Sequence, residues 1–148
     1  MAVDVEVETA IGRPVSEVAA YAADPSNAPE WYANIDSIEW ETEPPVQVGS
    51  RMAFVARFMG RRLAYTYEVV DLVPGERLVM RTAQGPFPME TTYTWAAAGP
   101  NATRMTLRNR GEPAGFSKLA APFMAGAMRR ANRKDLAALR RILESPAG

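Results

Sequence analysis

From Met52 to Asn109 the sequence alternates, residue by residue, between two kinds of side chain. Met52, Phe54, Ala56 and Phe58 interleave with Ala53, Val55 and Arg57; Leu63, Tyr65, Tyr67 and Val69 interleave with Ala64, Thr66 and Glu68. Leu78 and Met80, then Met89, Thr91, Tyr93 and Trp95, then Thr103, Met105, Leu107 and Asn109 continue the pattern. Neighbouring side chains on a strand point to opposite faces. The apolar and aromatic set therefore shares one face, and Arg57, Glu68, Arg81, Glu90, Arg104 and Arg108 share the other. On that outer face Glu68, Arg81 and Glu90 are expected to pair across strands, at ~0.2–1 kcal/mol per pair. A bulge would reverse this parity locally. The breaks are turn sequences: Met59-Gly60-Arg61, Val73-Pro74-Gly75-Glu76 with the proline and glycine of a type II turn, Gly85 to Pro88, and Gly99-Pro100-Asn101. Such short connections predict antiparallel neighbours.

The flanks complete the element order. Val3, Val5 and Val7 alternate with Asp4, Glu6 and Glu8, a first strand. Pro14 suits the first position of a short helix whose Val15, Val18, Ala19 and Ala22 share a face. Asp24-Pro25 reads as the cap and first residue of a second turn, and Asn27 with Glu30 has capping-box spacing. Ile35, Ile38 and Trp40 head a strand that runs to about Glu43, and Pro44-Pro45 and Gly49 mark a loop. Ala114 to Glu144 is the long helical pattern. Phe116, Leu119, Ala120, Phe123, Met124, Ala127 and Met128 recur at spacings of three and four, and Leu136, Leu139 and Leu143 resume after Asn132. From Phe116 such a helix spans roughly 43 Å, against a radius of gyration of about 15 Å for a domain of this length; it must cross the whole body. Pro122 inside it predicts a bend, the alternative being a helix that begins just before Pro122. The reading is α+β, one domain over residues 1–148, with seven strands, two short helices after the first, and a long C-terminal helix.

Composition removes much chemistry. With no His and no Cys, imidazole bases, Ser-His triads, thiolate nucleophiles and His- or Cys-ligated metals are excluded. The acidic residues form no cluster suited to magnesium, so no metal and no cofactor is expected. Lys+Arg and Asp+Glu both number 17, which argues against a nucleic-acid binder. The start, MAVDVEVETA, lacks the basic and apolar regions of a signal peptide, and no stretch reaches the ~18 apolar residues of a membrane span. A cytoplasmic protein without stable membrane insertion is expected, as monomer or homodimer. Arg129, Arg130, Arg133, Lys134, Arg140 and Arg141 read as a solvated helix face, with docking to a membrane or anionic partner as the alternative.

The inner face is apolar but interrupted by the hydroxyls of Tyr65, Tyr67, Thr91 and Tyr93 and the amide of Asn109. A dry core penalises such groups unless they are paired. A cavity holding a ligand accommodates them; so does a filled core in which each tyrosine hydroxyl reaches the surface. The cavity reading nominates Trp31, Phe54, Phe58, Tyr65, Tyr67, Met80, Met89, Thr91, Tyr93, Met105, Leu107, Asn109, Phe116, Phe123, Met124 and Met128 as ligand-binding residues. The half of the helix from Phe116 to Met128 should border the pocket and the half from Asn132 to Leu143 should anchor the fold. Sites of this kind enclose ~300–1,000 Å³.

The element order, with the segments IGRPVSEV (11–18), DPSNAPEW (24–31), GSR (49–51), YEVV (67–70), PGERL (74–78), GPFPMETTYTW (85–95) and DLAALRRIL (135–143), resembles the START/Bet v 1-like (SRPBCC) superfamily in its polyketide cyclase/dehydrase-like branch. The resemblance implies a helix-grip fold, a curved antiparallel sheet around the long helix with a cavity between them. It also implies a hydrophobic ligand such as a lipid, polyketide or aromatic compound, and assigns no catalytic residue. Three functions follow. A carrier or sensor needs only the cavity. A cyclase, aromatase or dehydratase would use Tyr65, Tyr67, Tyr93 and Asn109 to polarise or orient a substrate. A co-chaperone-like module would need an exposed apolar patch instead.

Overall fold

The computed structural model describes residues 3–58, 60–84, 88–111 and 121–145. The valine–acid alternation at the start becomes β1 (Val3–Ile11), with its valines buried and its acids exposed. Six further strands follow the two short helices: β2 (Ile35–Trp40), β3 (Arg51–Phe58), β4 (Arg61–Val73), β5 (Arg77–Gln84), β6 (Met89–Gly99) and β7 (Ala102–Gly111). They form a single antiparallel sheet in the order β1-β7-β6-β5-β4-β3-β2. From β2 to β7 each strand therefore pairs with the next in sequence, as the short turns require. The expected type II turn is present: Gly75 has φ +78° and Glu76 N donates to Val73 O at 2.9 Å. Since proline at the preceding position holds φ negative, the mirror-image turn is excluded.

β1 and β2 lie at opposite edges of the sheet, so the chain between them must cross it. α1 (Val15–Ala22), a 3₁₀ turn (Pro25–Asn27) and α2 (Ala28–Trp31) make that crossing. Their caps differ in detail from the sequence reading. Asp24 caps as expected, its Oδ1 accepting from Ser26 N at 3.0 Å. Pro14, however, is the N-cap of α1 and not its first helical residue. The Asn27–Glu30 capping box does not form: Asn27 Nδ2 donates to the Tyr21 carbonyl, and Glu30 accepts from the Tyr21 hydroxyl. With α2 only one turn long, tertiary partners take precedence over local ones.

Strand parity holds, with bulges where it shifts. Met52, Phe54, Tyr67, Met80, Tyr93, Trp95, Met105 and Leu107 are all buried. A bulge at Asp36 puts Ile35, Ile38 and Trp40 opposite Ala56, Phe54 and Met52 on the inner side. A second, at Val70, turns Leu72 toward the core and leaves Asp71 outside, bound to Arg77. The outer face is tiled with pairs: Arg108–Asp4, Arg104–Glu8, Arg51–Glu68, and Arg81 and Arg110 on Glu90. Glu68 thus pairs with Arg51 and not with Arg81, and at this exposure each pair is worth ~0–1 kcal/mol.

α3 (Ala121–Glu144) has 24 residues and is about 36 Å long. Met124, Met128, Leu136 and Leu139 are buried in the core, where each side chain contributes roughly 1.5–3 kcal/mol. The chain before Ala121, with Phe116 and the course that would define a bend at Pro122, lies outside the described residues. The far end of the helix is fastened to the β1–α1 turn. Arg13 Nε donates to the Leu143 carbonyl at 2.7 Å, and Gly12 N donates to the Glu144 carboxylate at 2.7 Å. A cation on the last carbonyls of a helix also complements its dipole.

Candidate functional site

Between the sheet and α3 lies a cavity of about 140 Å³. β3 contributes Phe54 and Ala56, β4 Leu63, Tyr65 and Tyr67, β5 Leu78, Met80 and Thr82, β6 Met89, Thr91 and Tyr93, and β7 Asn109. The crossing segment adds Ala22, Ala23, Pro25, Ala28 and Tyr32, followed by Asn34 and Ile35, and α3 adds Met128, Ala131, Asn132 and Asp135. Arg57 borders it too, beside the bulge in β2, with its guanidinium turned to Asp36 at 2.9 Å. The volume is smaller than the range expected for sites of this kind. It is close to the ~150 Å³ of an apolar cavity that accepts benzene.

The sheet wall is a chain of aromatic and polar groups that satisfy one another. Tyr65 and Tyr67 meet edge to face at 5.1 Å, and Phe54 contacts both rings. The Tyr67 hydroxyl bonds Thr91 Oγ1 at 2.9 Å, and Thr91 Oγ1 donates to Asn109 Oδ1 at 2.5 Å. Across the cavity Tyr32 and Tyr93 share a hydrogen bond of 2.7 Å. The Tyr65 hydroxyl has no partner among the described residues. Burial is the main cause that raises all four phenols, Tyr67 to about 12 despite the opposing bond from Thr91. They are neutral groups, able both to donate and to accept.

The helix wall is different. Asp135 is buried, and its Oδ1 accepts from Ala33 N at 3.1 Å. Burial raises its carboxyl to about 6, against the smaller opposing effects of that amide and of Lys134. One turn earlier Asn132, also buried, has a side-chain Nδ2 with no partner among the described residues.

Of the residues nominated from sequence, Phe54, Tyr65, Tyr67, Met80, Met89, Thr91, Tyr93, Asn109 and Met128 line the cavity. The others do not. Trp31 is fully buried behind it, its ring 4.2 Å from that of Tyr32 and 5.6 Å from that of Tyr93. Met105, Leu107 and Met124 are 0% exposed and belong to the solid core. Parity identifies the face of a side chain but not how far the helix stands off at that point. Phe123 is 74% exposed, being one residue, about 100°, off the stripe that carries Met124. Phe116 and the Phe58 side chain lie outside the described residues. The division of the helix also shifts: its cavity-facing part is Met128 to Asp135, so Asn132 borders the cavity it was expected to lie beyond. Sequence reasoning passed over Tyr32, Asn132 and Asp135. The available signal was polarity within the apolar stripe, since Asn132 lies four residues from both Met128 and Leu136.

Among the described residues no group of acids is placed to hold a metal ion, and no helix is long and apolar enough to cross a membrane. The sheet and helix are shared with solved structures. A protein of Thermus thermophilus superposes with a TM-score of 0.82 at 21% identity, over 95% of this chain and 96% of that one. The Zhui aromatase/cyclase of a Streptomyces species gives 0.82 at 15% identity, over 97% and 94%. A START superfamily protein of Mycobacterium smegmatis gives 0.83 at 14%, over 96% and 97%. At these identities the likeness is one of fold. No curated protein matches the chain significantly. The family model described as polyketide cyclase / dehydrase and lipid transport matches residues 2–144. The chain is thus a helix-grip protein of the START/Bet v 1-like (SRPBCC) superfamily and belongs to the polyketide cyclase/dehydrase and lipid transport family.

Proposed function

We propose that the protein binds a hydrophobic small molecule in the cavity between sheet and α3, as a carrier or sensor. The observation that carries this reading is the lining: apolar and aromatic side chains with a few polar groups converging on one space. The phenols are neutral, and three of the four are hydrogen-bonded, Tyr32 to Tyr93 and Tyr67 to Thr91, an arrangement that holds a ligand without attacking it. The test is a thermal-shift screen of hydrophobic compounds against the wild type and Ala56→Trp, which puts an indole into the cavity. Compounds that raise the wild-type Tm and leave the variant unmoved are expected. A screen in which no compound separates the two proteins would sink the reading.

Asp135 favours a second reading, an enzyme of the cyclase, aromatase or dehydratase type acting in the same cavity. A buried carboxyl with its pKa raised to about 6 is suited to proton transfer near neutral pH, and one structural neighbour is an aromatase/cyclase. Tyr65, Tyr67, Tyr93 and Asn109 would orient the substrate. Product analysis with wild type, Asp135→Asn, Tyr65→Phe and Tyr67→Phe separates the readings: identical products from all four remove these groups from any mechanism.

A further inference from the structure

The hydrogen-bonding capacity of the cavity is unevenly used. On the sheet wall Tyr67, Thr91 and Asn109 bond one another, and Tyr93 bonds Tyr32 of the crossing segment. Apart from the Tyr65 hydroxyl, what is unused collects on α3. Asn132 is 4% exposed and its Nδ2 has no partner among the described residues. Asp135 offers Oδ1 to Ala33 N, and its Oδ2 has no partner among the described residues. Both residues border the cavity, and residues three apart on a helix are neighbours on one face. A buried amide donor without a partner carries a desolvation cost that a ligand acceptor relieves.

The chemistry of this pair narrows the ligand. A carboxylate would suit Asn132 but face the Asp135 carboxylate with like charge. An ammonium would suit Asp135 but offers Asn132 no acceptor. A hydroxyl accepts from one and donates to the other. The space beside them, about 140 Å³, matches the ~150 Å³ that takes one benzene ring. We infer that the cavity selects a single-ring phenol or benzylic alcohol, whose hydroxyl accepts from Asn132 Nδ2 and donates to Asp135 Oδ2 while its ring lies against Leu63, Leu78 and Met80. This rests on the reading of the cavity as a hydrophobic ligand site and narrows it.

The test is calorimetric titration of the full chain with p-cresol and with toluene, which differ by the hydroxyl alone. The expected preference for p-cresol in the wild type is about tenfold, the effect of satisfying one buried donor. In Asn132→Leu that preference should fall to about twofold or less with toluene binding retained. As a readout that needs no variant, the Asn132 side-chain amide resonances should move with p-cresol and stay with toluene. Equal affinity for the two compounds overturns the hydroxyl contact, and so does a preference that survives in Asn132→Leu with the amide resonances unmoved. If neither compound binds while larger members of the screen do, the single-ring class is wrong and the ligand-site reading stands. If nothing binds at any size, both fall.

Discussion

Replacing Asp135 with Asn exchanges one oxygen for an amide and removes one ionisation. The carboxyl is 2% exposed, and burial lifts it from 3.8 to about 6. The amide of Ala33 and the charge of Lys134 pull the other way, while the Tyr32 and Tyr93 hydroxyls nearby are neutral. Below pH 3.8 the folded and unfolded chains both hold the proton, and the residue is neutral in either. Between about 3.8 and 6 the unfolded chain releases it while the folded chain keeps it, so the wild type loses stability as pH rises. Above about 6 the loss is complete. At 1.36 kcal/mol per pKa unit it comes to about 3 kcal/mol. An Asn at this position stays neutral and keeps an acceptor for Ala33 N. Urea unfolding of both proteins from about pH 4 to pH 7.5 is the assay. The stability difference, variant minus wild type, should rise by roughly 2 kcal/mol across that range. That corresponds to a midpoint gain of about 1 M urea. Taking the difference cancels the carboxylates titrating in the opposite sense, Asp4 and Glu90 beside their arginines and Glu144 on Gly12 N. A difference that stays flat with pH refutes the assignment of a buried, uncompensated charge.

Tyr67→Phe removes the bond to Thr91 but leaves that between Thr91 and Asn109; denaturant unfolding should register about 1 kcal/mol. A Cβ at Gly111 would run into the Pro88 carbonyl and the Met89 sulfur, whereas one at Gly126 meets nothing within 4 Å. Gly111→Ala should therefore cost about 1–3 kcal/mol, and Gly126→Ala, inside α3, should gain up to ~1 kcal/mol, both read from Tm. Arg13→Met takes its donors from the Leu143 and Ser145 carbonyls; amide exchange in the last turn of α3 should accelerate about tenfold, the result of losing roughly 1.4 kcal/mol of local stability.

The sheet was legible because its physics is local. Parity along Met52–Phe58 or Met89–Trp95 is written in consecutive residues, and Gly75 after Pro74 specifies its own turn. The cavity was legible by half, because it depends on where a helix stands away from a sheet. Tyr93 and Met105 share a face and look alike in sequence; Tyr93 lines the cavity and Met105 is sealed in the core. Asn132 and Asp135 interrupt the apolar stripe of α3, yet an interruption in a stripe is also what a loosely packed helix face produces. What distinguishes them is burial, a property of the assembled fold. Arg13 had no signal at all, since its partners are carbonyls 130 and 132 residues away.

The pairing of β1 with β7 sets a schedule for synthesis. Val5 lies opposite Asn109, so β1 has no partner until β7, made after the rest of the sheet, is complete. At ~5–20 residues per second that wait is roughly 5–20 s. Throughout it a strand of valines is exposed, and such strands recruit other chains. Asp4, Glu6 and Glu8, which in the finished protein only face solvent or pair with arginines, put a negative charge at every second position of the waiting segment. In that interval their charges oppose association between nascent chains, until Arg108 and Arg104 arrive on β7 to pair with Asp4 and Glu8.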